Sequence, residues 1–162
     1  MSGEKKDAAA ASGPRIQYQG GKLFLDKEGR WFHDGVEITH KLTADLFSRS
    51  LERDPAGGYR LVVGPEWSPV EVEDTPFMVK GVEFEESRVL VKLNDGSEED
   101  LDLASLWAGA DNVLYCLVKL GDYPARFLRP AYYQLMEKLV ETEDGFAVSV
   151  GGKEYPIRTA ED

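Results

Sequence analysis

Gly58 to Val70 reads GYRLVVGPEWSPV, and Gly145 to Ile157 reads GFAVSVGGKEYPI, aligned without a gap. Gly58/Gly145, Val63/Val150, Gly64/Gly151 and Pro69/Pro156 are identical, and Tyr59/Phe146, Leu61/Val148 and Val70/Ile157 keep their character. Each copy has two short apolar runs about a glycine turn, the mark of a β-hairpin. Each also follows a stretch with helical spacing of apolar residues: Leu42, Leu46, Phe47 and Leu51 before the first, Tyr132, Leu135, Met136, Leu139 and Val140 before the second. The chain therefore reads as two related helix-then-hairpin units. Convergence on a common hairpin form is the alternative. Two copies are too few for a solenoid.

Working outward, Leu23-Phe24-Leu25 predicts a short strand, and Asp34-Gly35 between Arg30–His33 and Val36–Thr39 predicts a two-residue hairpin. In that register His33 faces Val36 and Trp31 faces Ile38, all on one side. Thr39 is placed to cap the first helix, and Asp54-Pro55 with Gly57-Gly58 to end it. Phe77 to Phe84 predicts another strand. Asp95-Gly96 predicts a hairpin between Arg88–Leu93 and Ser97–Leu103. Val113 to Leu120 is almost wholly apolar, which predicts a central strand buried on both faces. Pro130 suits the first position of the second helix, where its missing donor costs nothing. The fold class is α+β: two pseudo-repeated lobes, each a curved, mainly antiparallel partial barrel packed on one helix. Residues 1–14 are expected to form a disordered tail, 15–80 the N-terminal lobe and 81–162 the C-terminal lobe.

The 162 residues carry a formal net charge of −11, with 19 basic side chains interleaved among 30 acidic ones. No basic run stands apart to neutralise a phosphate backbone, so nucleic acid is not an expected partner. No stretch approaches the roughly 20 apolar residues of a membrane span, and a cytoplasmic location is expected. Cys116, the sole cysteine, rules out an intramolecular disulfide; its apolar setting predicts a buried, inert thiol.

Several blocks resemble a bacterial family of unknown function, number 1285 in its series. Gly29 to Ile38 (GRWFHDGVEI) resembles its N-terminal signature. Leu46-Phe47, Leu51, Arg53-Asp54, Gly58-Tyr59, Leu61-Val62 and Glu66 continue it, as do Val72 to Phe77 (VEDTPF) and Ala125 to Leu135 (ARFLRPAYYQL). The resemblance implies an α+β protein of two similar motifs, each a helix on a partial barrel, with a suspected role in signalling and no established activity. The chain departs at Val63-Gly64-Pro65-Glu66, where a threonine is expected before the proline, which puts any ligand contact of that loop in doubt.

No catalytic device emerges. His33, Asp34, Glu37 and His40 would share a helical face as metal ligands, but the Asp34-Gly35 turn sends His33 and Glu37 to opposite faces, so no metal is expected. With two histidines and a buried cysteine, a nucleophilic triad has few ways to form. Gly151-Gly152-Lys153 lies in a hairpin and lacks phosphate-loop spacing, and no dinucleotide fingerprint is present, so no cofactor is expected. The candidate binding residues are Glu71, Glu73 and Asp74, carboxylates gathered at a strand end; Arg126 and Arg129, able to grip a carboxylate or phosphate; and Trp31 and Trp67, of which Trp67 sits beside a glycine-proline turn. A solvated acidic face, local ion pairs and core packing are the plainer readings of these three groups. The sequence points to a non-enzymatic binding or adaptor protein for a protein partner or small molecule. The alternative is a sensor or enzyme using a carboxylate–arginine pocket.

Overall fold

The computed structural model describes residues 16–159; the tail expected over residues 1–14 lies outside the described residues. The described chain is mostly strand, with two α-helices and three sheets, none of them closed, an α+β protein. It divides into two compact units, one of residues 16–26 with 30–73, the other of 27–29 with 74–159.

The first unit holds β1 (Ile16–Gln17), β2 (Leu23–Leu25), β3 (Trp31–His33), β4 (Val36–Glu37), α1 (Lys41–Ser50), β5 (Leu51–Arg53), β6 (Tyr59–Val63) and β7 (Glu66–Val72). Its strand order is β4-β3-β2-β7-β6-β5, with β1 also beside β7. The Asp34-Gly35 hairpin has the expected register, Phe32 opposite Glu37 and His33 opposite Val36. Both turn residues take positive φ, 51° and 84°, as a primed turn requires. Trp31 is buried. Its indole N–H donates to the Ser48 hydroxyl at 3.0 Å, and its ring meets Phe47 edge-to-face at 5.4 Å. The helix begins one residue later than expected: His40, not Thr39, is the cap, its Nδ1 accepting from the Thr43 amide at 3.3 Å. Leu51 leaves the helical stripe and opens β5. Leu42 stays 72% and Leu46 39% exposed.

The second unit holds β8 (Phe77–Phe84), β9 (Val89–Leu93), β10 (Glu98–Asp100), β11 (Trp107–Ala108), β12 (Leu114–Val118), β13 (Tyr123–Phe127), α2 (Arg129–Met136), β14 (Leu139–Thr142), β15 (Gly145–Val150), β16 (Lys153–Pro156) and β17 (Arg158–Thr159). One sheet runs β10-β9-β8-β13-β12-β11-β17, and β14-β15-β16 form the third. A parallel pair, β8 with β13, sits inside the larger sheet, as β2 with β7 does in the first unit. Val79, Val91, Cys116, Phe127, Leu135 and Val148 lie within a continuous apolar core. β12 is not buried on both faces: Leu114, Cys116 and Val118 point inward, while Tyr115 and Leu117 are half-buried. The strand stops at Val118 because Lys119 and Leu120 take left-handed φ of 57° and 59° in the turn. α2 stops at Met136, so Leu139 and Val140 pass from the expected helix into β14, where β15 supplies their backbone partners.

The two hairpins quoted at the outset share one register. Arg60 pairs Pro69 and Leu61 pairs Ser68 in the first; Ala147 pairs Pro156 and Val148 pairs Tyr155 in the second. Both turn glycines, Gly64 and Gly151, have φ 61°. The second central residue differs: Pro65 is confined to negative φ, as in a type II′ turn, whereas Gly152 takes 78°, as in type I′. Each helix is followed by a three-stranded meander. The first strand of each keeps a different offset, with five residues between Arg53 and Tyr59 and two between Thr142 and Gly145.

Candidate functional site

β13 and the start of α2 bring Arg126 and Arg129 to one cleft of about 350 Å³ within the second unit, lined also by Lys27, Asn112, Tyr132 and Tyr133. Glu28 and Asp111 also line it. Arg126 is held in place: its Nη1 donates to Asp74 Oδ2 at 2.8 Å, and the same oxygen accepts from the Tyr115 hydroxyl at 2.7 Å. The Tyr115 ring stacks on Trp107, 5.2 Å between centroids and 15° from parallel. Burial works against the Arg126 charge, but the hydrogen bond and charge of Asp74 outweigh it and raise its pKa further, so it is a fixed cation. Burial, then the bond to Asp74, raises the Tyr115 pKa above its ordinary value, and the phenol stays protonated. Arg129 is exposed and makes no hydrogen bond or ion pair with the described residues. A braced, partly desolvated guanidinium beside an unengaged one suits a carboxylate or phosphate, which arginine binds through two parallel donors.

A second cavity, about 390 Å³, lies in the first unit between α1 and the sheet. Leu23, Leu61 and Ser68 are its buried floor, Ile38 and Phe47 its half-buried walls, and Tyr18, Val63 and Glu66 its exposed rim. Cross-strand pairing puts Leu61 with Ser68 and Val63 with Glu66 on the face toward the cavity, and Val62 with Trp67 on the other. Trp67, half-buried, sits on that other face of the strand and still borders this cavity.

The remaining candidates are placed as follows. Trp31 is core. Glu71 is exposed opposite Phe24 and lines another cleft with Lys22 and Gln19. Glu73 is exposed, and its amide donates to the Leu25 carbonyl at 2.9 Å. Asp74, Arg126 and Arg129 belong to the second unit and Glu71 and Glu73 to the first. Sequence reading missed Tyr115, which lay hidden in an apolar run; strand alternation alone would have set it on the face opposite Cys116. Cys116 is buried, and burial pushes its thiol well above the range of a nucleophile. Among the described residues, no three His, Cys, Asp or Glu side chains are grouped to hold a metal ion, and no helix is long and apolar enough to cross a membrane.

No protein-family model and no curated protein matches the chain. Two solved structures do. A DUF1285 family protein from Silicibacter pomeroyi is 24% identical, with a TM-score of 0.70 over 92% of this chain and 85% of that one. Another, from Shewanella baltica, is 22% identical, with a TM-score of 0.59 over 72% of this chain and 91% of that one. This is the fold of the DUF1285 family. The resemblance read from the sequence blocks is thus matched in three dimensions across most of the chain. The DUF1285 proteins carry no stated function, so the chemistry of the site rests on the residues above.

Proposed function

We propose that this chain is a non-enzymatic binding protein whose cleft at Arg126 and Arg129 receives the anionic group of a small molecule, and that it serves signal transduction in the bacterial cytoplasm. The observation that carries this reading is the Asp74 brace: it fixes Arg126 at the edge of a cleft in which Arg129 has no partner among the described residues. A preorganised donor saves the entropy of ordering it on binding. The chemistry favours binding over turnover. Arg126 stays charged and Tyr115 stays protonated, so neither exchanges a proton near neutrality, and Cys116 is sealed in the core. We also read the two helix-and-meander segments as related lobes, each a partial barrel on a helix. The shared register of the two hairpins and the equal φ of Gly64 and Gly151 support that reading.

Titration of the full chain with inorganic phosphate and with succinate, followed by amide chemical shifts, tests the cleft. Either anion is expected to move the signals of Phe127, Leu128, Tyr132 and Tyr133. Arg129→Gln should weaken binding roughly tenfold, since a charge-assisted bond contributes about 1.5–3 kcal/mol. Arg126→Lys should weaken it too, because the fork is lost while the charge remains. Unmoved signals, or shifts unchanged in both variants, would sink the assignment.

A further inference from the structure

We infer that the cavity of the first unit is a second ligand site, for a small apolar molecule carrying a protonated amine. The pocket is open to solvent at Tyr18, Val63 and Glu66, and its volume of about 390 Å³ over a floor of Leu23 and Leu61 falls within the usual range for small-molecule sites. Apolar walls left facing water cost stability, and an apolar guest removes that cost. Val148, which aligns with Leu61 in the sequence, is instead fully buried in a core that also holds Leu135 of α2.

The charge of the guest follows from the rim. The lining contains no lysine or arginine; its ionisable side chains are Tyr18, His33 and Glu66. His33 Nε2 is engaged, 3.2 Å from the Gly20 carbonyl and 3.3 Å from the Tyr18 hydroxyl. Glu66 is exposed at the mouth and makes no ion pair or hydrogen bond with the described residues. A carboxylate head group would meet Glu66 with no cation in the lining to offset it, in a chain of net charge −11. An ammonium head group would pair with Glu66 and gain from the same overall field. The apolar body of the molecule would lie on Leu61, Ile38 and Phe47, with its amine at the rim. This site does not depend on the arginine cleft.

Three probes of one shape separate the steps of the argument: 4-phenylbutylamine, 4-phenylbutanol and 4-phenylbutyrate, each titrated into the labelled full chain at neutral pH. The amine should shift the amide signals of Leu61, Val63 and Ser68 and bind roughly three- to fivefold tighter than the alcohol, the range of a partly exposed ion pair. The acid should bind weakest. Glu66→Gln, at an exposed position that the fold does not need, should make amine and alcohol equal. Ser68→Val, which fills the floor, should weaken all three. No shift of those signals with any probe overturns the site. Binding of the acid as tight as the amine, or an amine preference that survives Glu66→Gln, overturns the charge assignment while leaving an apolar site standing.

Discussion

The two helices use the same device to different ends. α2 places Ala131 and Leu135 fully inside the second unit, and its Gln134 Oε1 accepts from the Val82 amide at 2.9 Å, tying the helix to β8 where that strand's register shifts. α1 fully buries only Ser48, as acceptor for the Trp31 indole, leaves Leu42 largely in water and Leu46 partly so, and borders an open cavity through Thr43 and Phe47. Both segments show helical apolar spacing in the sequence, and both lead into a three-stranded meander. The difference lies in what meets the helix. In the second unit the large sheet supplies side chains enough to close against α2. In the first, Trp31 and Phe47 pack on each other to one side, and the space over Leu61 and Ser68 stays unfilled. An amphipathic pattern thus says that a helix has a face to cover, and not whether its own chain covers it.

The largest expected effect tests that contrast directly. Leu135→Ala should destabilise the protein by about 2–5 kcal/mol, the usual cost of truncating a fully buried leucine into a cavity. Leu42→Ala, at a position 72% exposed, should change stability by less than about 0.5 kcal/mol, as for a surface position. Urea unfolding of both variants beside the parent measures the pair. Equal losses would mean that α1 is covered in solution as fully as α2, and the comparison would break.

A second test bears on the two hairpins. Gly64 and Gly151 share a φ of 61°, so alanine at either meets the left-handed penalty of roughly 1–2 kcal/mol. Their surroundings differ. A Cβ on Gly64 would meet nothing within 4 Å, whereas one on Gly151 would lie 3.0 Å from the Ser87 Cα, 3.2 Å from its Cβ and 3.3 Å from the Glu86 carbonyl oxygen. Gly151→Ala should therefore cost more than Gly64→Ala, by about a further 1 kcal/mol of crowding. Equal costs in thermal or urea unfolding would show that the loop at Ser87 yields without resistance, and that the second hairpin is no more tightly packed than the first.

Turn chemistry and alternation made much of this fold legible. Asp34-Gly35 set the first hairpin to the residue, Asp95-Gly96 located another whose second strand is shorter than expected, Glu98–Asp100 instead of Ser97–Leu103, and the repeated glycine and proline positions found the shared register of the two quoted hairpins. Element ends were less legible, because local pattern cannot see tertiary partners. Leu139 and Val140 continue a helical stripe, yet β15 offers them a ladder and they leave the helix. Thr39 and His40 can both cap; the side chain that reaches the Thr43 amide is His40. For the site, the sequence singled out Asp74, Arg126 and Arg129, and the structure brings them to one unit. Tyr115 stayed hidden because a tyrosine in an apolar run looks like core, and its role appears only when Asp74, distant in sequence, arrives beside it. The apolar cavity had no signal at all: a space is defined by side chains that fail to meet, and sequence patterns record only those that could.

The smallest expected effect concerns how tightly the second unit holds a buried charge. Burial works to raise the Asp95 carboxyl pKa, but three hydrogen bonds outweigh it: Lys119 Nζ at 2.8 Å, the Ser97 hydroxyl at 2.6 Å and the Ser97 amide at 2.9 Å. The net result is a pKa below the ordinary carboxylate value. A depressed folded-state pKa contributes stability that is present above the unfolded value and disappears as pH falls through the folded one. Stability of the parent should thus drop below roughly pH 4, the ordinary aspartate range. Asp95→Asn should lose stability at neutral pH, where Lys119 is left without its carboxylate, and should show a shallower acid limb. Urea midpoints taken from pH 7 down to pH 2.5 measure both slopes. Parallel acid limbs would mean that the Asp95–Lys119 pair is as well solvated as a surface bridge, and that the closed packing of the second unit does not extend to the β9–β10 turn.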